Sequence, residues 1–333
     1  MSSPRDSDYD VTGTVQVSNP EQVRTAVLDI FDQCFIDHDH SQMSKAFDVF
    51  RQLFEGELTG YAGCDTIYHD MQHSLDVTLA MARILGGQQR AAPASEKMGH
   101  ELCMVGIVSA LFHDAGYIRR SDDEDFVNGA QYTKSHVSRS AHFLELFMPQ
   151  FGMAEHVADT VQLVHYTGYE VDLNTLSFSD PRYRVMGKFL GTADLVAQMA
   201  DRCYLEKCRD RLYSEFVLGG VAISEQNDGT TRIEYQSGED LLKKTPGFYD
   251  NVTRERLKGT FDNAMRYLGE WFPDGDPYAA GIEKNLAFLK GLLVTDDLDR
   301  LRRTPPVFTA EEDNLSDTQK MVALKLSELP EDS

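Results

Sequence analysis

The feature that most constrains this chain is the apolar run from Met104 to Phe112, which ends in the adjacent pair His113 and Asp114. The run is too long for a comfortable strand and is followed by Gly116, so it predicts a helix buried on most sides. A carboxylate carried into the interior by such a helix is costly unless it is paired, hydrogen-bonded or bound to a metal. In the folded protein this pair must therefore form a structural ion pair or bind a metal ion.

Almost every other segment has helical periodicity, which predicts an all-α fold. The exception is a stretch around 219–237, where Asn227-Asp228-Gly229 separates two short β-prone runs and predicts a small hairpin-like excursion. We expect the helix that begins near Tyr68 to close at Gly86-Gly87. Longer helices are expected over about 181–217, bent near Gly187 or Gly191, and over about 252–272.

Three regions follow from the composition along the chain. Residues 1–18 are polar and predict a flexible N-terminal arm. Residues 19–300 predict a single helical domain, and residues 305–333 predict an acidic C-terminal tail that contains one amphipathic helix.

Charge and cysteine usage narrow the class of protein. The net charge of −22 argues against binding to a nucleic-acid duplex or an anionic membrane. No apolar run is long enough to span a bilayer, and the N-terminus lacks the pattern of a signal peptide, so we expect a cytoplasmic protein. The five cysteines form no CxxC motif and predict reduced thiols.

A pair of histidines provides the next polar feature. His69 and His73 are four residues apart, so on a helix they lie on one face. Asp76 follows one turn after His73 and is placed to orient its ring. A face with two histidines indicates a ligand site more strongly than any single histidine does.

Three further polar residues interrupt helical segments. Asp194 lies in the apolar run VMGKFLGTADLVAQMA, His165 lies in TVQLVHYTGY, and His136 begins HVSRSAHFLEL. Histidines and carboxylates without cysteine suit Fe, Mn, Zn or Mg. Their spread over several helices favours a centre of one or two divalent ions inside a helical bundle.

This order of residues, H…HD…H…H…D, resembles the HD-domain metal-dependent phosphohydrolase superfamily over residues 60–215. Tyr68-His69-x-x-x-His73-x-x-Asp76-Val77 is also similar to the opening motif of class I cyclic-nucleotide phosphodiesterases. The resemblance implies an HD-type, phosphodiesterase-like helical bundle in which Asp114 bridges the metals and His69 protonates the leaving oxygen. The metal ligands it implies are His73, His113, Asp114 and Asp194, with His136 and His165 completing a second metal.

The implied activity is hydrolysis of a phosphodiester or phosphomonoester by water that the metal activates. The substrate would be nucleotide-like or another small phosphorylated molecule, and a homodimer is compatible with the sequence. The basic residues expected to contact phosphate are Arg119, Arg120, Lys134 and Arg139. The chain reads HDAGY where many HD hydrolases read HDxGK, and no glutamine matches the residue that holds a purine in the phosphodiesterases.

Two alternatives remain open at this point. Some HD-domain proteins use the same ligand set to hold two irons that activate dioxygen, so a dinuclear-iron oxygenase acting on a small polar substrate is the first. A regulatory module that binds a nucleotide without turnover is the second.

Overall fold

The computed structural model describes residues 6–226 and 230–329, which form a mainly helical body with one small antiparallel sheet. The prediction of a helical fold is confirmed. The first helices are α1 (Pro20–Cys34), α2 (Ser41–Phe54), α3 (Met71–Ala91), α4 (His100–Phe112), α5 (His136–Phe147), α6 (Val157–Leu163) and α7 (Pro181–Ala200). The later elements are α8 (Tyr204–Lys207), α9 (Tyr213–Leu218), β1 (Ile223–Glu225), β2 (Thr231–Ile233), α10 (Gly238–Phe248), α11 (Arg266–Trp271), α12 (Pro277–Thr295) and α13 (Asn314–Ser327).

Helix α3 is the central element, since it contacts α1, α4, α7 and α11. Its residues from Met71 to Gln89 are all buried except Asp76, which is half-buried. Helix α4 is buried from Leu102 onward and ends at Phe112, as the apolar run predicts. The two helices therefore carry His73 and the pair after Phe112 into the same interior region.

The prediction that this central helix closes at Gly86-Gly87 is wrong. Helix α3 continues to Ala91, and both glycines lie inside it. A Cβ atom on Gly87 would lie 1.9 Å from the carbonyl oxygen of Tyr267, and one on Gly86 would lie 2.6 Å from the Trp271 ring. The glycines allow α11 to approach closely and do not mark a helix end.

The helix predicted over 181–217 is also interrupted at a different place. Helix α7 runs without a break past Gly187 and Gly191 to Ala200, and the chain breaks at 201–203 before α8 begins. The two glycines leave room for aromatic rings, since a Cβ atom on Gly187 would lie 2.5 Å from Tyr166 and one on Gly191 would lie 2.5 Å from Phe261.

The helix predicted over 252–272 is broken as well. A π-helical segment, Arg256–Thr260, is followed by a turn in which Asp262 and Asn263 both have φ of 51°. A positive φ is incompatible with a right-handed helix, so α11 begins only at Arg266.

The excursion around 219–237 contains the expected hairpin. Strands β1 and β2 pair antiparallel, with Ile223 opposite Ile233 and Glu225 opposite Thr231. Asn227-Asp228-Gly229, expected to separate the two runs, lies outside the described residues. The prediction of a small β element in a helical protein is therefore confirmed by the two strands themselves.

The terminal segments pack against the helical body. Asp10 is fully buried, and its Oδ2 lies 2.7 Å from Nη2 of Arg83 on α3, so residues 6–18 do not form the expected free arm. The backbone N–H of Ala310 donates to the carbonyl oxygen of Cys64 at 2.7 Å, and α13 contacts α9. Parts of the arm and tail, residues 1–5 and 330–333, lie outside the described residues.

Two predictions from composition can be compared with the structure. All five cysteines are free thiols. Within the described part of the chain, none of the helices combines the length and apolar character needed to cross a bilayer.

Candidate metal centre

The centre of the candidate site is a buried group of His73, His113 and Asp114 whose ligand atoms lie within 4.8 Å of one another. Nε2 of His73 and Nε2 of His113 lie 3.3 and 3.2 Å from Oδ2 of Asp114. Helix α3 supplies the first residue, and the end of α4 supplies the other two. Such a group could hold a metal ion, because imidazole nitrogen and carboxylate oxygen are common ligands for divalent metals.

The orientation of His113 favours this use. Its Nδ1 lies 2.8 Å from the carbonyl oxygen of Ala110, so Nδ1–H donates to that oxygen and Nε2 keeps its lone pair. His113 Nε2 and Asp114 Oδ2 are both buried and have no hydrogen-bond partner among the described residues. Buried polar atoms without partners are costly, and a cation between them would satisfy both. The residues therefore fit a divalent metal ion.

Two further predicted ligands border this group. Oδ1 of Asp194, on α7, lies 3.4 Å from Nε2 of His73. Nε2 of His136, at the start of α5, lies 3.7 Å from Oδ1 of Asp114, while its Nδ1 donates to the carbonyl oxygen of Thr133 at 2.8 Å. His136 is thus held in the same way as His113, with Nε2 directed toward the carboxylate.

The charges of the group are strongly coupled. Burial opposes protonation of His73, but the carboxylates of Asp114 and Asp194 outweigh it and raise the pKa of His73 to about 10. Burial likewise opposes ionisation of Asp114, yet the imidazoles of His113 and His73 hold the pKa of Asp114 well below its usual range. For His136 burial prevails and lowers its pKa. Without a metal ion, a proton on His73 would balance part of the buried negative charge.

His69 lies beside this group and is held by a different partner. Its Nδ1 lies 2.5 Å from Oε2 of Glu215, a residue that is fully buried. The His69 ring stacks on Tyr117 with centroids 4.5 Å apart, and Tyr117 stacks on His136 at 4.3 Å. The three rings form a continuous stack that fixes the position of His69 next to the candidate ligands.

His165 does not join the cluster. It lies in the 3₁₀ turn Val164–Thr167 after α6, and its Nδ1 is buried without a hydrogen-bond partner. Burial lowers the pKa of His165, and the nearby carboxylate of Glu170 acts against that shift. Over residues 6–226 and 230–329, no ion pair joins His165 to Asp114 or Asp194. The structure therefore does not bring it to the group as a ligand.

Asp76 is the residue that the sequence predicts to orient the His73 ring. No hydrogen bond connects it to the His73 ring in the described part of the chain, and its Oδ1 is buried without a hydrogen-bond partner. Burial, together with the charges of Asp201 and Asp10, raises the pKa of Asp76 to about 7. The residue faces a second group of buried charges and does not orient the His73 ring directly.

Three of the four predicted phosphate contacts have partners within the protein. Arg119 forms an ion pair with Asp65 at 3.0 Å, and Arg120 forms an exposed one with Asp122 at 3.0 Å. Arg139 donates to the carbonyl oxygen of Gly116 at 2.7 Å and lies 3.5 Å from the centre of the Tyr132 ring. These three arginines organise loops.

The fourth, Lys134, lines a cavity of about 520 Å³ that opens onto the candidate site. His69, Asp114, His136 and Asp194 line the same cavity. The structure thus places Lys134, and not the arginines, where it could meet a bound anion.

Sequence reasoning missed two residues at this site. Glu215 is an acidic residue in the segment SEFVLGG, and the signal that could have indicated it was a carboxylate within a largely apolar helix. Gln198 lies one turn after Asp194, lines the cavity and accepts a hydrogen bond from the Tyr68 hydroxyl at 3.0 Å. The helical spacing from Asp194 could have indicated it.

Comparison with protein families gives one result. Residues 44–280 match the model of the family described as Npun_R2479-like. The chain belongs to the Npun_R2479-like family. The matched segment includes α3, α4, α5 and α7, so every residue of the candidate centre lies within the part that defines the family. Neither curated proteins nor solved structures provide a match.

Proposed function

We propose that this protein is a metal-dependent phosphohydrolase with an HD-type centre. The observation that carries the proposal is the buried group of His73, His113 and Asp114, in which His113 Nε2 and Asp114 Oδ2 have no hydrogen-bond partner among the described residues. Asp114 and His69 both line the adjoining cavity. The sequence resemblance to HD-domain phosphohydrolases and the position of His69, Asp114, His136 and Asp194 around one cavity support the same proposal.

The residues that would hold the ion are His73, His113 and Asp114, with Asp194 and His136 adjacent. A divalent ion bound there would polarise a phosphoryl oxygen and lower the pKa of a water. The chain itself would orient the ligands, since two of the imidazoles are fixed by hydrogen bonds from Nδ1 to backbone carbonyls. The stacked ring of Tyr117 would prevent His136 from turning away.

His69 would supply the proton for the departing oxygen. Its Nδ1 is occupied by Glu215, so the proton available to a substrate is the one on Nε2. The stack on Tyr117 fixes the ring plane, which is the requirement for a positioned general acid. Lys134, at the wall of the same cavity, would bind an anionic ester by charge.

Hydrolysis fits the arrangement better than the dinuclear-iron oxygenase alternative does. The oxygenase alternative depends on the full set of six ligands, including His165, and the fold does not bring His165 to the cluster. A proton donor that is held by its own buried carboxylate is useful for expelling an oxygen leaving group, and a module that only binds would not need it.

The test combines metal analysis with two activity assays. The purified chain is loaded separately with Mn²⁺, Zn²⁺, Mg²⁺ and Fe²⁺, and phosphate release from a panel of monoesters and diesters is measured beside oxygen uptake. We expect about one or two ions per chain and metal-dependent phosphate release. Oxygen uptake without phosphate release would overturn the proposal in favour of the oxygenase.

A further inference from the structure

The cavity beside the candidate centre has two unlike ends. One end is lined by His69 and by the candidate ligands Asp114, His136 and Asp194. The outer wall comes from the end of the π-helical segment after α8, from α9, from the hairpin region and from α10. Its side chains are carbon-rich: Leu212, Phe216, Val221, Leu241 and Phe248.

Two neutral polar side chains of the cavity, Gln198 and Thr133, already have partners within the protein. Gln198 accepts from the Tyr68 hydroxyl at 3.0 Å and donates to Oδ1 of Asp194 at 3.3 Å. The Thr133 hydroxyl donates to the carbonyl oxygen of Ala130 at 2.6 Å. A ligand that sought hydrogen bonds from Gln198 would have to displace these internal partners, which gains little.

Among the residues that the structure describes, the cationic side chains that line the cavity also have partners within the protein, with the exception of Lys134. Lys244 donates to Asp240 at 3.0 Å, and Arg256 donates to the carbonyl oxygen of Gly168 at 2.6 Å. In the described ranges Lys134 makes neither a hydrogen bond nor an ion pair. A single cation of this kind, in a chain of net charge −22, can complement one phosphate beside the ion but not a chain of phosphates.

We infer that the substrate carries a single phosphate on an apolar body and is not a nucleotide. This inference rests on the proposed phosphohydrolase function and specifies its substrate class. The phosphate would lie at the candidate centre near Lys134, and the apolar body would lie against the outer wall, where burial of carbon surface provides the binding energy.

The test compares four substrates of the Mn²⁺-loaded full chain: octyl phosphate, methyl phosphate, adenosine monophosphate and adenosine triphosphate. We expect kcat/KM for octyl phosphate to exceed that for each of the others by at least about tenfold, since even one buried methylene changes kcat/KM by about tenfold or more. A preference for either nucleotide would overturn the inference and leave the phosphohydrolase proposal standing.

Phe248, which lines the cavity, is the residue to substitute in a test of the apolar wall. Its side chain is 47% exposed, so Phe248→Ser should fold, and we expect it to lower the octyl-to-methyl ratio of kcat/KM by about tenfold. Val294→Ser is the matched control, because Val294 is 87% exposed on α12 and does not line the cavity. An unchanged ratio in Phe248→Ser would contradict the inference.

A binding experiment separates this inference from the proposed function. Octylphosphonate and methylphosphonate, which cannot be hydrolysed, are titrated into the Mn²⁺-loaded chain by calorimetry. Tighter binding of octylphosphonate than of methylphosphonate, and weaker octylphosphonate binding by Phe248→Ser, would support the apolar wall. This holds even if the chain hydrolyses no ester. Absence of hydrolysis would overturn only the phosphohydrolase proposal. Equal affinity for the two phosphonates would overturn the apolar wall.

Discussion

His69 and Glu215 are 146 positions apart in the chain, yet Nδ1 of His69 lies 2.5 Å from Oε2 of Glu215. The other carboxylate oxygen, Oε1, accepts from the backbone N–H of Tyr68 at 2.6 Å. Because Glu215 is fully buried and binds both the ring and the backbone beside it, it determines where the His69 ring can lie. It is a positioning residue for the proposed proton donor.

We expect Glu215→Gln to lower kcat by about tenfold to hundredfold, because an amide holds the imidazole less firmly and does not balance its charge. The metal content should stay at the level of the unmodified chain, since Glu215 is not a candidate ligand. KM should stay near that of the unmodified chain, because Glu215 acts on the proposed proton donor and does not contact the substrate. A fall in kcat accompanied by an equal rise in KM would indicate only a structural role.

Variants of His69 and Asp114 should separate proton donation from metal binding. We expect His69→Ala to keep its metal and lose about hundredfold to ten-thousandfold in kcat, because a general acid is removed. Asp114→Asn should lose both metal and turnover, because an anionic ligand is removed. Metal analysis and phosphate release are measured on both, with His142→Ala as control, since His142 is an exposed histidine outside the site. Full turnover by Asp114→Asn would refute the assignment.

Metal binding at neutral pH should release protons. The pKa of His73 is raised to about 10, so in the metal-free protein its ring carries a proton at pH 7, and the pKa of His113 is raised as well. A metal ligand must be the neutral imidazole, so binding has to displace the proton of His73 and the apparent affinity should rise with pH toward about 10. Calorimetry in buffers of different ionisation enthalpy measures the number released. Binding without proton release would show that the ion lies elsewhere.

Asp76→Asn should stabilise the protein above neutral pH. Burial and neighbouring carboxylates raise the pKa of Asp76 from 3.8 to about 7, so the folded state binds more protons than the unfolded state in that window. Its contribution to stability is therefore lost as the pH rises from about 4 to 7. We expect the free energy of unfolding of the variant at pH 8 to exceed that of the unmodified chain by about 2 kcal/mol, with little difference at pH 4. Urea denaturation at both pH values measures this, and destabilisation at pH 8 would contradict it.

The packing of the N-terminal segment can be tested through Asp10. Removal of its carboxylate in Asp10→Ala leaves the buried guanidinium of Arg83 without its ion-pair partner. We expect a loss of about 3 to 5 kcal/mol in the free energy of unfolding. Asp6→Ala is the control, because Asp6 is an exposed carboxylate in the same segment. If the two variants have equal stability, residues 6–18 do not contribute as the structure indicates.

Local sequence signals predicted a large part of the fold. The apolar run ending at Phe112 indicated α4, because periodicity depends on neighbouring residues. Glycine is a less reliable signal of a helix end in this chain. Gly87 was expected to end a helix and instead lies inside α3, because the Tyr267 backbone that requires its missing side chain is distant in the chain.

The sequence by itself indicated His113, Asp114 and Asp194 as polar residues in or next to apolar runs, and His73 by its spacing from His69. Buried groups of this kind are costly unless they have partners. Only the tertiary structure decided which of them meet. It brought His136 to Asp114, left His165 outside the group, directed Asp76 toward other charges and supplied Glu215 to His69. Contacts between residues on different helices depend on how those helices pack, and local periodicity carries no information on that packing.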